Sequence, residues 1–150
     1  MLKVVLLNPE IPPNTGNVAR LCVACKAELH LVKPLGFSLS DRHLKRAGLD
    51  YWDKLKLTVH DSFNDFLSSI NNGNIYFFSS KGEKAYTQIN FQENDYLVFG
   101  SETRGFPEEI FAQYKGQIYT IPMFGEVRCL NLSNSVAVVI YEALRQIHKF

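Results

Sequence analysis

The sequence predicts an α/β fold built on a mainly parallel sheet. Short apolar runs alternate with segments of helical periodicity along the whole chain, a pattern typical of parallel strands joined by helices. With 150 residues, of which 46% are hydrophobic and 21% charged, the chain has the size and composition of one globular domain. We therefore expect a single domain spanning residues 1–150.

The predicted elements follow one another in regular order. The predicted strands cover 2–7, 28–34, 54–60, 74–80, 95–100 and 117–123. The predicted helices cover 14–27, 40–49, 61–70 and 107–114, followed by a closing segment at 131–146. Asn14 and either Asp61 or Ser62 are suited to helix N-caps, and Pro107 is suited to a first helical turn.

The closing segment is apolar enough to pass for a buried strand, but strand alternation would leave half of its apolar residues exposed. Helical spacing instead predicts one apolar face, made of Val136, Ile140, Ala143, Leu144 and Ile147. Ser133 or Asn134 can accept hydrogen bonds from the first free amides of this helix. The apolar residues on its other faces are either buried in the core or cover a partner subunit; they are Ala137, Val138 and Tyr141.

The composition argues against several classes of protein. No apolar run approaches a membrane span, and the first run is too short for a signal peptide, so we expect a cytosolic protein without membrane contact. Three cysteines are an odd number for a disulfide scaffold. Cys22 and Cys25 lie on the apolar stripe of a predicted helix, which favours core cysteines over metal ligands. The four histidines show no paired spacing, so no metal site is predicted.

Three loops at predicted strand ends favour a shared binding pocket, because ligands of parallel sheets bind at that edge. The first loop leads through Asn14 to Arg20, whose guanidinium lies outside the apolar stripe of its helix. The second loop lacks the G-x-G-x-x-G pattern of a dinucleotide site; its polar and glycine residues are Gly100, Glu102, Arg104 and Gly105. The third loop carries Arg128 and Asn131. The alternatives are a solvated arginine at position 20 and a plain tight turn in the second loop.

The chain closely resembles the SPOUT class of RNA methyltransferases, whose motifs it carries in four segments: NPEIPPNTGNVARLC, PLGF…RHLKRAGLDY, DYLVFGSETRGFP and IPM…R…LNLSNSVAVVIYEALRQ. The resemblance runs from Met1 to about Gln146. It is strongest to the bacterial branch that methylates the ribose 2′-hydroxyl of the wobble nucleotide of tRNA, position 34, a cytidine or modified uridine. It implies a deep C-terminal trefoil knot, S-adenosylmethionine bound in a bent form at the knot, and a homodimer.

The same resemblance implies a role for individual residues. It places the cofactor at Phe78, Gly100, Ile121 and Cys129, the last where relatives carry serine. It gives Arg20 the catalytic position and places Asn14 against the substrate; its further polar members are Glu102, Asn131 and Ser133. Tyr141 is suited to stacking on an unpaired base of the RNA. The basic residues suited to anticodon-stem phosphates are Arg42, Lys45, Arg46 and Arg128.

Two other functions fit the same motifs. An RNA-binding or assembly protein can keep this fold after losing turnover. A SPOUT enzyme can also act on ribosomal RNA or on a base nitrogen. For the basic stretch 42–46, an ordinary solvated helix face is the alternative to RNA contact.

Overall fold

Seven strands form one central sheet in the computed structural model of the protein, which describes residues 1–47 and 49–150 without the side chains of 45, 47, 49 and 50. The strands are β1 (Lys3–Leu7), β2 (Glu28–Val32), β3 (Leu57–His60), β4 (Ile75–Phe78), β5 (Lys84–Ala85), β6 (Tyr96–Phe99) and β7 (Ile118–Thr120). Their order across the sheet is β3-β2-β1-β6-β4-β7-β5, and each of these neighbours pairs in parallel. The predicted α/β fold with a parallel sheet is confirmed; the trefoil knot stays a prediction.

Five α-helices accompany the sheet within the described residues. They are α1 (Pro12–Cys25), α2 (Arg42–Ala47), α3 (Phe63–Ser69), α4 (Glu108–Gln113) and α5 (Leu132–His148). Short 3-10 helices cover Leu49–Lys54, Tyr86–Gln88 and Lys115–Gln117. Two apolar cores result: α1 and α5 pack on one face of the sheet, and α3 and α4 pack on the other. Because both faces are covered, the central strands are almost continuously buried, as parallel sheets require.

The order in which the chain adds strands reverses between β1 and β6, which are adjacent in the middle of the sheet. The helix that follows β1 covers one face, whereas the helix that follows β6 covers the other. In open parallel sheets such a switch point leaves a crevice at the carboxyl ends of the strands. The loops after β1 and β6 therefore lie where a ligand site is expected.

Two predicted N-caps are wrong. Helix α1 begins at Pro12 with Ile11 as its N-cap, because prolines fit the first turn, where a missing N–H costs nothing; Asn14 therefore lies inside the helix. Helix α5 is capped by Asn131 rather than by Ser133 or Asn134, since the Asn131 side chain accepts from both of their backbone amides. The prediction of Ser62 for α3 is confirmed, while Pro107 precedes α4 as its N-cap.

The closing segment is a helix, as predicted. Its buried residues are Leu132, Val136, Val139, Ile140 and Ala143, so Val139 joins the predicted face. Tyr141 is 48% exposed. The part of the helix that faces the sheet is thus core, and an outer strip of apolar residues remains, made of Ala137, Val138 and Tyr141.

Other predictions concern the cysteines, the edge strand and the basic stretch. Cys22 is fully buried in the core of α1, and its burial raises the pKa of its thiol, whereas Cys25 is half-buried. The two-residue strand β5 was not predicted. Lys45 belongs to the predicted basic stretch, and its side chain and Gly48 lie outside the described residues. No described helix is long and apolar enough to cross a membrane.

Candidate active site

The three predicted loops meet at the carboxyl edge of the sheet around a cleft of about 580 Å³. The cleft is bounded by the ends of β4, β6 and β7, the start of α1, and the loop that leads into α5. Six residues predicted to contact the cofactor or the RNA line it: Asn14, Phe78, Gly100, Ile121, Arg128 and Cys129. The volume and mixed lining are those of a small-molecule site, so the structure brings the predicted cofactor positions together in one place.

The wall at the end of β6 is a tight turn that only glycine permits. Ser101 and Gly105 form an antiparallel bridge, and Gly105 has a positive φ of 65°, in the left-handed region. A Cβ added at Gly100 would lie 2.6 Å from the carbonyl carbon of Gly105. Beside this turn, Phe78 stacks on Phe99 with ring centroids 5.0 Å apart, which gives the cleft a flat apolar floor.

Glu102 fixes the first loop to the second. Its carboxylate accepts hydrogen bonds from the backbone amides of Glu10, at 2.9 Å, and Ile11, at 2.8 Å. It also accepts from the Asn14 side-chain amide at 3.3 Å. Both carboxylate oxygens therefore have partners within the protein, and Glu102 acts as a structural clamp on the cleft.

The clamp determines the orientation of two side-chain amides. Because an ionised carboxylate only accepts, Asn14 must turn its NH2 group toward Glu102 and its oxygen toward Asn131. The Asn131 NH2 group then donates to that oxygen at 3.0 Å. This leaves the Asn131 oxygen to accept from the Ser133 amide at 2.9 Å, at the start of α5. One chain of hydrogen bonds thus joins all three loops, and its direction is imposed by the carboxylate.

A second carboxylate, that of Glu10 in the first loop, joins the same two loops in the reverse direction. Glu10 accepts from the Thr103 hydroxyl at 2.7 Å and from the Thr103 amide at 3.2 Å. These hydrogen bonds hold the pKa of Glu10 below its usual range, and the positive charge of Arg104 acts in the same direction. Glu10 and Glu102 therefore clamp the first and second loops reciprocally.

Four residues predicted for catalysis or RNA contact lie outside the described lining of the cleft. Arg20 is exposed on α1, and its guanidinium lies over the Tyr51 ring, 5.1 Å from the centroid. Arg42 and Arg46 are exposed on α2, which packs against α1. Tyr141 lies beside Cys25 of α1, and the neighbouring thiol raises the pKa of the tyrosine hydroxyl.

The sequence and fold of this chain match those of known RNA methyltransferases. The SpoU rRNA Methylase family matches residues 1–141. The chain belongs to this family. A protein from Methylovorus glucosotrophus named tRNA (cytidine(34)-2'-O)-methyltransferase is 49% identical over 151 residues, which cover 100% of this chain and 97% of that protein. The Escherichia coli K12 protein of the same name is 45% identical over 148 residues, covering 98% and 94%.

Solved structures agree with this membership. A structure described as "Structural insights into the 2-OH methylation of C/U34 on tRNA" has a TM-score of 0.96 at 49% identity, covering 100% of this chain and 98% of that chain. The SpoU methyltransferase AviRb from Streptomyces viridochromogenes, crystallised with AdoMet, has a TM-score of 0.84 at 21% identity and shares the fold. It covers 97% of this chain and 60% of that one.

In this SpoU-family protein, sequence reasoning missed two features of the site. Lys81 follows β4 at the cleft and lies over the Phe111 ring, 5.4 Å from the centroid. Arg104 lines the cleft as well, although the sequence assigned it no role beyond membership of a polar loop. The available signal in both places was a basic residue in the loop that follows a strand, since that edge of a parallel sheet is where ligands bind.

Proposed function

We propose that this protein is an S-adenosylmethionine-dependent tRNA 2′-O-ribose methyltransferase that acts on the wobble nucleotide, position 34. The observation that carries the proposal is its 49% identity, over the full chain, to a protein named for that activity. The converged cleft supports it, because six residues assigned to cofactor or RNA from sequence line one cavity. Action on tRNA in turn implies that the protein works in the cytoplasm.

The residues of the cleft fit the proposed cofactor. Phe78 and Ile121 offer apolar surface to an adenine ring, and the cavity of about 580 Å³ lies in the range of small-molecule sites. Exposed Cys129 lies at the mouth of the cleft. When bound there, S-adenosylmethionine supplies the methyl group that the ribose 2′-oxygen accepts as its proton is lost. In such a displacement the protein contributes chiefly by aligning the 2′-oxygen with the methyl group.

Arg20 is proposed to orient the ribose or an adjacent phosphate and to stabilise negative charge developing on the 2′-oxygen. Its exposed guanidinium, supported by the Tyr51 ring, is available to a large substrate. A guanidinium stays protonated in nearly all proteins, so an arginine is a poor general base. We therefore assign Arg20 positioning and charge stabilisation, with the proton leaving to solvent.

The substrate is proposed to reach the site over a basic surface. Arg42 and Arg46 are exposed one helical turn apart on α2, and Arg128 is exposed at the cleft. Phosphate contacts of this kind position RNA without reading its sequence. Asn14 is proposed to contact the target nucleotide from the cleft wall, and Tyr141 to stack on an unpaired base with the part of its ring that stays exposed at the rim of the dimer contact. We further propose a homodimer, in which the outer strip of α5 is covered by a second copy.

Methylation of unmodified tRNA by the purified protein tests this function. We expect a single 2′-O-methyl group at position 34, located by nuclease digestion and mass spectrometry. A product in ribosomal RNA or on a base nitrogen would overturn the assignment. So would tRNA binding without S-adenosylmethionine binding in calorimetry, which would identify a binding protein instead.

Replacing Arg20 tests the catalytic assignment separately. We expect Arg20→Ala to lose about 10²-fold or more in kcat, because charge stabilisation in the transition state contributes that much in other enzymes. Lys56→Ala is the matched control, since Lys56 is an exposed cation beside the amino end of β3. Normal turnover by Arg20→Ala would rule out the role assigned to Arg20.

A further inference from the structure

A second cavity of about 530 Å³ lies beside the cofactor cleft. It is built by the loops that follow β1, β2 and β6, so it opens at the same carboxyl edge of the sheet. The two cavities share four lining residues in or next to the 101–105 turn: Ser101, Arg104, Gly105 and Phe106. This turn therefore separates the two cavities. The two cavities are therefore adjacent compartments that share one wall.

The loops around the second cavity are held firmly. Gly36 donates its amide to the Pro9 carbonyl at 2.9 Å. A Cβ at Gly36 would lie 2.8 Å from the Cα of Glu10, so the loop after β2 lies directly against the first loop. The Glu10–Thr103 hydrogen bonds close the other side. The cavity is thus formed in the protein as it stands, without a ligand to assemble it.

The lining combines apolar surface with one available cation. Pro34, Leu35 and Phe106 supply the apolar part. Among the described residues, the Arg104 guanidinium has no hydrogen bond or ion pair to another side chain, and Arg104 is exposed. Glu10 is the carboxylate nearby, and its oxygens are already occupied by Thr103. Apolar surface beside an exposed guanidinium suits a base with its phosphate, since guanidinium binds phosphate in a two-pronged geometry.

We infer that this second cavity binds a nucleotide that flanks the methylated one in the tRNA, with its base against Leu35 and Phe106 and its phosphate on Arg104. The inference rests on the proposed function. A ribose seated in the second cavity would be separated from the cofactor cleft by the backbone of the 101–105 turn, so in-line transfer to it is blocked. The neighbouring nucleotide, one phosphodiester away, has the span to cross that turn while the target ribose faces the cleft.

Variants of Arg104 and Leu35 test the inference on the full-length protein with whole tRNA. We expect Arg104→Ala to raise the KM for tRNA by about 10- to 100-fold, the range for a lost hydrogen bond to a charged group. Affinity for S-adenosylmethionine, measured by calorimetry, should change by less than about 3-fold in Leu35→Ala, because Leu35 lines the second cavity and not the cofactor cleft. Lys115→Ala, an exposed cation beside the amino end of β7, is the control and should leave the KM unchanged.

The base contact is tested with tRNAs made abasic on either side of position 34. One of the two abasic tRNAs should bind wild type about 5-fold or more weakly, since stacking of a base contributes that much. Leu35→Ala should bind that tRNA and normal tRNA equally well. The inference would be overturned if Arg104→Ala kept its KM for tRNA or changed only in its affinity for the cofactor. It would also be overturned if removing the base weakened tRNA binding equally in wild type and in Leu35→Ala. Failure of wild type to methylate tRNA would instead overturn the proposed function.

Discussion

Glu102 shows how a carboxylate in an active-site loop can be structural. It lies between two glycines at the end of a buried strand, where a general base is often sought. Its oxygens instead accept from the amides of Glu10 and Ile11 and from Asn14. Three donors occupy most of the lone pairs of this carboxylate, so little of it is left to contact a substrate. The chemistry at this site therefore depends on groups that Glu102 holds in place.

Removing the charge of Glu102 should loosen the clamp. In Glu102→Gln, one oxygen becomes an NH2 group that faces backbone N–H donors, so at least one hydrogen bond is lost. We expect the free energy of unfolding to fall by about 1–2 kcal/mol in urea titrations, a value reduced from that of buried charged hydrogen bonds because the site is partly exposed. Glu83→Gln, an exposed carboxylate without a described partner, should change it by less than about 0.5 kcal/mol. Equal midpoints for the two variants would contradict the clamp.

The sequence predicted which residues lie at the cleft better than it predicted the hydrogen-bond partners of each one. Asn14 was placed correctly at the cleft, yet its role as an N-cap was wrong, because Pro12 already opens the helix. Its actual bonds reach Glu102 and Asn131, 88 and 117 residues away. Local spacing carries no information about partners at such separations. Only the packing of three loops against one another determines them.

At the scale of elements, the closing helix shows both the strength and the limit of periodicity. Helical spacing identified the buried face correctly, because a helix must turn one side to the core. By contrast, β5 has two residues, Lys84 and Ala85, and exists as a strand only through its pairing with β7. A pattern of apolar residues cannot predict an element that a neighbouring strand creates.

The outer strip of α5, made of Ala137, Val138 and Tyr141, should form the contact between two copies of the chain. Ala137 and Val138 are half-buried and Tyr141 is 48% exposed, so the strip still offers apolar surface that a second copy can bury. Sedimentation at micromolar concentration should show a dimer. Val138→Glu should shift it toward monomer, because a buried unpaired charge is costly. Gln113→Glu adds the same charge at an exposed position of α4, on the other face of the sheet, and should remain dimeric.

A monomeric wild type in that experiment would contradict the assignment of the strip to a dimer contact. A monomeric Gln113→Glu would show that added negative charge, rather than its place on the strip, controls assembly. We expect dimers for wild type and Gln113→Glu and a monomer for Val138→Glu.

At the scale of the whole molecule, one cluster of ionisable groups with two buried histidines lies on β2 and β3, outside the cleft. The cluster is a chain from Glu28 through His30 to His60 on β2 and β3. His30 Nε2 lies 3.0 Å from Glu28, and His30 Nδ1 lies 2.9 Å from His60 Nε2. The two imidazole rings stack beneath Phe66 of α3. Sequence spacing did not predict this pair, because the parallel register of β2 and β3 creates it.

This histidine cluster should make the stability of the protein depend on pH on the acid side. Burial, and then the neighbouring His30, lower the pKa of His60, while Asp65 acts weakly in the opposite direction. The folded state therefore binds fewer protons than the unfolded chain once the pH falls below about 6.5, the ordinary histidine pKa. Stability rises with pH wherever the unfolded state binds more protons, so it must fall as the pH drops from about 6.5 toward the lowered pKa.

Urea unfolding between about pH 7.5 and pH 5, at one fixed protein concentration, measures that slope. His60→Gln removes the titrating group while its side-chain amide can still donate to His30, so its unfolding free energy should fall less steeply with acid than that of wild type. His43→Gln, at an exposed position on α2, should keep the wild-type slope. If His60→Gln and wild type lose stability in parallel, the acid sensitivity arises elsewhere, and the buried cluster has no part in it.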